Sequence, residues 1–154
     1  MANKIFSRSV EDYLEAIYNI VSEKGYARTK DISDRLQITP ASVSGMLNKL
    51  DGDNLINYEK YGAVTLKKEG EEIAKTIKEK HDTIKAFLNI LCIPDETADI
   101  DACKLEHDLS PESINKLTKF VEFVEQAPAD PRWLKHFKQY CDSGEYACKH
   151  EIAD

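Results

Sequence analysis

Residues 29–50 read TKDISDRLQITPASVSGMLNKL, and the breaks inside this stretch decide the fold. Thr29 or Lys30 opens a short helix carrying Ile32 and Leu36. Gln37 and Ile38 then turn the chain. Thr39 offers a hydroxyl to cap the next helix, and Pro40 suits its first position, where a missing amide hydrogen is no loss. From Pro40 to about Asp51 the apolar residues Val43, Met46, Leu47 and Leu50 share one side and are expected in the core. The other side is small or polar: Ala41, Ser42, Gly45, Asn48 and Lys49. This is a helix-turn-helix pattern. Short side chains let the second helix approach base edges closely, while cations at its margins hold phosphates.

Upstream, a first helix is expected from Ser9, paired with Asp12 as a cap, to about Glu23. Its stripe is Tyr13, Ile17, Ile20 and Val21, with Leu14 and Tyr18 beside it, and Gly25 ends it. Downstream, Ile56 and Tyr58, then Val64 and Leu66, alternate around Tyr61-Gly62 as a β-hairpin does. A hairpin directly after a helix-turn-helix is a wing. Residues 67 to about 91 read as a long charged helix with an apolar line of Ile73, Ile77, Ile84, Leu88 and Leu91. His81 stands in that line, where an apolar residue would be expected.

Pro94 breaks the chain, and a helix follows with Ala98, Ala102, Leu105 and Leu109 on one stripe. Ser110-Pro111 starts another, bearing Ile114, Leu117, Val121 and Val124, flanked by Phe120 and Phe123. Pro128, Asp130 and Pro131 mark a linker before a short helix with Trp133, Leu134, Phe137 and Tyr140. The expected fold is mainly α, an N-terminal winged helix-turn-helix with a small β-hairpin wing plus a helical dimerisation domain. The DNA-binding domain is placed at residues 1–70, and a helical metal-binding and dimerisation domain at 71–127. Residues 128–154 supply a short helix and a cysteine-containing tail. The apolar helices exceed what one small domain needs, so a homodimer interface is expected.

Charge and composition bound the function. The net charge of −7 over 154 residues argues against indiscriminate nucleic-acid binding, because phosphates need Lys and Arg. Distribution counts for more than the total, and a carboxylate-rich metal site adds negative charge away from a DNA face. Arg28, Lys30, Lys49 and Lys60 are placed for phosphates, and Thr39, Ser42 and Ser44 for groove contacts. The bland alternative is a three-helix packing unit with no DNA role. No long uncharged apolar run or signal-peptide pattern is seen, so a soluble cytoplasmic protein without a membrane partner is expected. The four cysteines should be reduced, ligating or buried rather than paired.

Cys103-Lys104-Leu105-Glu106-His107 sets a thiol, a carboxylate and an imidazole at i, i+3 and i+4, on one face of a helix. Such an N/O/S set suits Fe(II), Mn(II), Co(II), Ni(II) or Zn(II). Its plain alternative is an ordinary helix face with a half-buried thiol and a surface ion pair. Asp12 and Glu15 share a face of the first helix, although acidic residues are common in a first turn for dipole reasons. A histidine on an apolar stripe, such as His81, is more often a satisfied core residue than a ligand. The candidates flank the DNA reader on both sides, and together they point to a metal-sensing transcription factor. Cys92, at a helix end, reads as a buried small hydrophobe. Cys141 and Cys148, with His150 close behind, form either a second metal or redox site or a loose tail, and their spacing matches no strong zinc pattern.

Several landmarks carry a family resemblance. They are Glu11-Asp12-Tyr13-Leu14-Glu15, Glu23-Lys24-Gly25-Tyr26-Ala27-Arg28, Tyr58-Glu59-Lys60-Tyr61, His81 and Glu106-His107. Over roughly residues 8–126 the chain resembles the diphtheria toxin repressor family of metal-dependent regulators, especially its short manganese-transport-regulator type. The resemblance implies a winged helix and a helical dimerisation domain with metal bound between them. It also implies a homodimer that binds double-stranded operator DNA and represses metal-uptake genes when metal is plentiful. Carried over by position, the manganese-type ligands are Asp12, Glu15, His81, Glu106 and His107. The sixth position, acidic in that branch, is Cys103 here, as in the iron-responsive branch. That branch has methionine at Asp12 and a second site of two histidines and a glutamate. Of the second site only His81 is present, with Lys85 and Asp99 at the other places. The chain is thus a hybrid. Fe(II) is the expected cofactor, Mn(II) a close second, with Co(II), Ni(II) or Zn(II) able to bind in vitro.

Two other functions compete with this one. A winged-helix regulator sensing oxidants through Cys103 or the tail cysteines, without metal, needs an accessible low-pKa thiol and leaves Asp12, Glu15 and His81 without a role. An enzyme with Cys103 as nucleophile and His107 as base lacks an oxyanion hole or a substrate-positioning motif. Neither catalysis nor a small organic substrate is expected.

Overall fold

A computed structural model describes residues 5–146. Within them the order is α1 (Arg8–Lys24), α2 (Thr29–Leu36), α3 (Pro40–Gly52), β1 (Ile56–Tyr58), β2 (Val64–Leu66), α4 (Lys68–Ile90), α5 (Asp95–Leu105), α6 (Pro111–Glu125) and α7 (Arg132–Ser143). The chain divides into two compact units, residues 1–79 and 80–154, so α4 carries residues of both. Among the described residues no helix is long and apolar enough to cross a membrane. Cys148 and His150 lie outside the described residues.

In the first unit, α1 is capped by Ser7, whose hydroxyl accepts the Val10 amide at 3.4 Å. The expected cap at Ser9 is therefore two residues late. Val10 is only 4% exposed, and starting at Arg8 lets the helix carry that core side chain. Gly25 adopts φ 87° and closes α1 by donating its amide to Val21 at 2.7 Å, a left-handed position that glycine takes without steric cost. At the start of α2 the Asp31 carboxylate accepts the Arg28 backbone amide at 2.8 Å. This is half of a capping box, since an arginine side chain has no acceptor to return.

The turn before α3 places Gln37 in the left-handed region at φ 56°, and the buried Ser33 hydroxyl donates to the Ile38 carbonyl at 2.5 Å. Thr39 caps α3 by accepting the Ser42 amide at 3.3 Å, with Pro40 in the first turn as expected. Val43, Leu47 and Leu50 are fully buried, joining Leu14, Ile17, Ile32, Leu55, Ile56 and Val64 in one core. Met46, expected in that core, is only half-buried at its edge.

The hairpin pairs Ile56 with Leu66 and Tyr58 with Val64, antiparallel, and Tyr61 turns it at φ 64°. A third short piece was not legible in the sequence: Ala27 and Val64 exchange backbone hydrogen bonds of 3.0 and 2.7 Å. The wing is thereby fastened to the loop between α1 and α2. At Gly70 a Cβ would stand 2.1 Å from the Leu55 carbonyl oxygen, so only glycine admits this approach of α4 to the start of the hairpin.

The second unit buries Ile84, Ala98, Ala102, Val121 and Leu134. Phe87 and Phe120 meet edge to face at 5.7 Å, and Phe120 meets Trp133 at 6.0 Å, joining α4, α6 and α7. α5 stops at Leu105, so the expected stripe through Leu109 runs out early and Leu105 is 38% exposed. Only Val121 of α6 is buried, while Phe123 is 65% and Ile100 57% exposed. Cys92, expected to be buried, is exposed: it takes φ 66° in the turn that ends α4, with its amide donated to Asn89.

Candidate metal centre

α4 brings His81 inward at 8% exposure, in keeping with its place in the apolar line. α5 supplies Cys103 from its last turn. Glu106 follows at the helix end with φ −59° and ψ −28°, its amide still donated to Ala102 at 3.0 Å. Helical spacing therefore persists just long enough to set Cys103 and Glu106 on one side. His81 Nδ1 donates to Glu106 Oε2 at 2.8 Å, and Cys103 Sγ lies 3.7 Å from the same nitrogen.

The ligand atoms of His81, Cys103 and Glu106 all fall within 4.8 Å of one another. His107 belongs elsewhere in the cluster. Its ring, 3% exposed, puts Nε2 3.2 Å from Glu106 Oε1, at ion-pair distance but outside the converging triad. Of the six expected ligands, the structure brings the donor atoms of His81, Cys103 and Glu106 together, with His107 beside Glu106. α5 ends before His107, whose side chain meets the other oxygen of the Glu106 carboxylate.

Electrostatics make the cluster a cation trap. Glu106 is 1% exposed, and a carboxylate at that depth is tolerable only when paired. The Cys103 thiol, the Glu106 carboxylate and Asp99 push the His81 imidazolium up to about 11, against the opposing effect of burial. A thiolate, an imidazole and a carboxylate form the mixed donor set that divalent transition ions favour, and bonds of about 2.0–2.3 Å suit donors this close. The residues fit such an ion.

On the outer side of the imidazole, Nε2 donates to Asp99 Oδ1 at 3.1 Å. Lys85 Nζ donates to the same oxygen at 3.0 Å and reaches Asp95 Oδ2 at 3.1 Å. Lys85 and His81 hold the Asp99 carboxyl below the usual aspartate range, and Asp99 with Asp95 raises the lysine. The sequence placed Lys85 and Asp99 only through the family resemblance and missed Asp95. A signal existed, because His81 and Lys85 are one turn apart on α4, as Asp95 and Asp99 are on α5.

Asp12 and Glu15 belong to the first unit, half-buried on α1. Of the nucleic-acid candidates, Arg28, Lys30, Thr39, Ser42, Lys49 and Lys60 are exposed and Ser44 is half-buried. Thr39 serves first as a helix cap, and its hydroxyl lies 3.0 Å from that of Ser42. Arg28 lies over the Tyr26 ring at 5.4 Å and Lys60 over Tyr61 at 5.3 Å. The outward face of α3 consists of Ala41, Ser42, Gly45, Asn48 and Lys49, all exposed, as its pattern requires.

Two family patterns match this chain. One, described as iron dependent repressor, N-terminal DNA binding domain, covers residues 5–64. The other, iron dependent repressor, metal binding and dimerisation domain, covers residues 67–134. The HTH-type transcriptional regulator MntR of Bacillus subtilis (strain 168) is 37% identical over 131 residues, 85% of this chain and 92% of that protein. The regulator of the same name from Bacillus pumilus (strain SAFR-032) is 40% identical over 119 residues, 77% and 83% of the two chains. Among solved structures, T. acidophilum IdeR superposes with a TM-score of 0.67 at 31% identity, over 73% of this chain and 53% of that one. The manganese regulator SloR gives 0.64 at 31% identity, over 74% and 54%. The chain therefore spans a little over half the length of these two solved chains.

Proposed function

The chain belongs to the iron-dependent repressor family of metal-dependent transcriptional regulators, and from that premise we propose how its residues perform the task. It is a DNA-binding regulator with a metal-binding dimerisation domain, and not an enzyme. The proposed ligands are His81, Cys103, Glu106 and His107 of the second unit, with Asp12 and Glu15 of the first. The observation that carries the reading is the convergence of three donor atoms within 4.8 Å around a carboxylate that is 1% exposed. The thiol of Cys103 is accounted for as a ligand, and the relatives lend no support to a metal-free redox sensor.

A bound divalent ion supplies positive charge. The residues do the rest. Glu106, Cys103 and His81 would hold the ion through oxygen, sulfur and nitrogen, and Asp12 and Glu15 would add hard oxygen donors. Those two carboxylates lie on the helix preceding the DNA reader, so their engagement couples the metal-binding residues to the spacing of two recognition helices in a homodimer. Successive major grooves of operator DNA demand one such spacing. Fe(II) is the proposed physiological effector, with Mn(II) next, because the single sulfur donor stands among oxygen and imidazole donors. The regulated genes are proposed to be those of metal uptake.

Metal affinity measured with and without operator DNA, on wild type and on Glu106→Ala, tests this reading. Linkage makes the effect reciprocal, so DNA should tighten metal binding, typically ~5–150-fold. Glu106→Ala should abolish both binding and coupling. Equal metal affinity in the two conditions would leave a metal-binding protein that is not metal-controlled.

A further inference from the structure

His81 faces two anionic groups, one through each ring nitrogen. Nδ1 meets Glu106 at 2.8 Å, on the side of the proposed ion, and Nε2 meets Asp99 at 3.1 Å on the opposite side. There Asp99, Asp95 and the imidazole edge draw together in the chemistry of a second cation site. The place is taken. Lys85 Nζ sits 3.0 Å from Asp99 Oδ1 and 3.1 Å from Asp95 Oδ2, and Asn89 Nδ2 holds the other oxygen of Asp95 at 3.2 Å.

We propose that Lys85 is a built-in cation standing in for a metal ion on the Nε2 side of His81, so that no ion binds on that side. The inference rests on the metal reading above. An ammonium has three donors and no lone pair, so it can neutralise the two aspartates but cannot bridge to a metal. Its charge also opposes entry of another cation. With Lys85 in place, Asp99 accepts from His81 Nε2–H and does not ligate. That hydrogen bond fixes the tautomer and leaves Nδ1 as the ligating nitrogen, the arrangement by which a carboxylate orients a metal-bound histidine. Lys85 and Asp99 are in this sense positioning residues.

The test counts Co(II) bound per subunit of the full chain by anaerobic equilibrium dialysis. The near-ultraviolet thiolate-to-Co(II) band reports separately on Cys103. Lys85→Glu is expected to bind one ion more than wild type, with the thiolate band unchanged. That extra ion is expected to disappear when Asp99→Ala is added. Lys85→Arg, which keeps the charge, should match wild type. Lys85→Gln covers the case in which charge reversal disturbs folding; it should also take up additional cobalt, at lower affinity. Equal cobalt content in wild type, Lys85→Glu and Lys85→Gln, each with its thiolate band, would overturn this proposal alone. Absence of bound cobalt and of the band from every protein would overturn the metal reading, and this proposal with it.

Discussion

His81 Nδ1 lies 2.8 Å from Glu106 Oε2, and the two residues are 8% and 1% exposed. One comes from the middle of α4 and the other from the end of α5. Burying either charge alone would cost several kcal/mol, so each element makes the other's residue tolerable. Glu106→Ala leaves an imidazolium without this partner. In the metal-free protein the variant is expected to lose about 3 kcal/mol, the lower end for breaking a buried pair. Urea unfolding checks this, and an unmoved midpoint would mean that the pair contributes nothing.

Metal preference should turn on Cys103. Its thiolate favours softer ions, and an all-oxygen and imidazole set is friendlier to Mn(II). Cys103→Glu is therefore expected to move the order of activating metals toward Mn(II), read as operator binding at fixed concentrations of Fe(II), Mn(II) and Co(II). An unchanged order would remove Cys103 from the ligand set.

The exposed face of α3 makes two distinguishable predictions for DNA. Lys49→Ala should weaken binding to all sequences alike and lower the salt slope by ~0.9, as loss of one phosphate contact does. Replacing Ser42 should alter base preference instead. Fluorescence anisotropy across a salt series on specific and scrambled duplexes separates the two. Unchanged affinity and slope for Lys49→Ala would take this helix off the DNA.

Asp31 gives a pH-dependent effect away from the metal cluster. Lys24 beside it at 2.6 Å, and the Arg28 amide it accepts, hold its carboxyl below the usual aspartate range. A carboxyl depressed by folding contributes stability that is present above its ordinary pKa of 3.8 and is lost as pH falls through the folded value. Asp31→Ala should cost about 1 kcal/mol at neutral pH, as a lost cap does. Denaturation midpoints of variant and wild type should converge in strong acid. A difference that persists there would assign the loss to packing.

Gly70→Ala forces a Cβ to within 2.1 Å of the Leu55 carbonyl oxygen, which is backbone and cannot swing aside. The first turn of α4 must shift, and overpacking of this kind costs roughly 1–3 kcal/mol. Thermal unfolding should show the drop even though alanine is the better helix former. A neutral or stabilising result would mean that the approach is looser than these distances.

Much of the architecture was legible because it depends on local chemistry. Thr39 and Pro40 mark the start of α3, Gly25 ends α1, and the alternation of Ile56, Tyr58, Val64 and Leu66 reads directly as paired strands. The Ser7 cap was missed because two serines two residues apart offer the same hydroxyl, and burial of Val10 chooses between them. Cys92 was misread because its left-handed turn is set by how α4 ends, which an apolar neighbourhood does not report.

By itself the sequence determined which side chains are available: a thiol and a carboxylate one helical turn apart, a histidine in an apolar line, and a small polar face on α3. Periodicity and residue chemistry suffice for that, because they act over neighbours within a few positions. Tertiary structure alone decided how those groups are shared out. It brought His81 to Cys103 and Glu106, and it aimed Lys85 at the aspartates beside the second imidazole nitrogen. Those pairings join residues 10 to 25 positions apart, and the packing of α4 against α5 sets them. A buried carboxylate takes whichever cation that packing brings within reach, and no spacing along the chain encodes it.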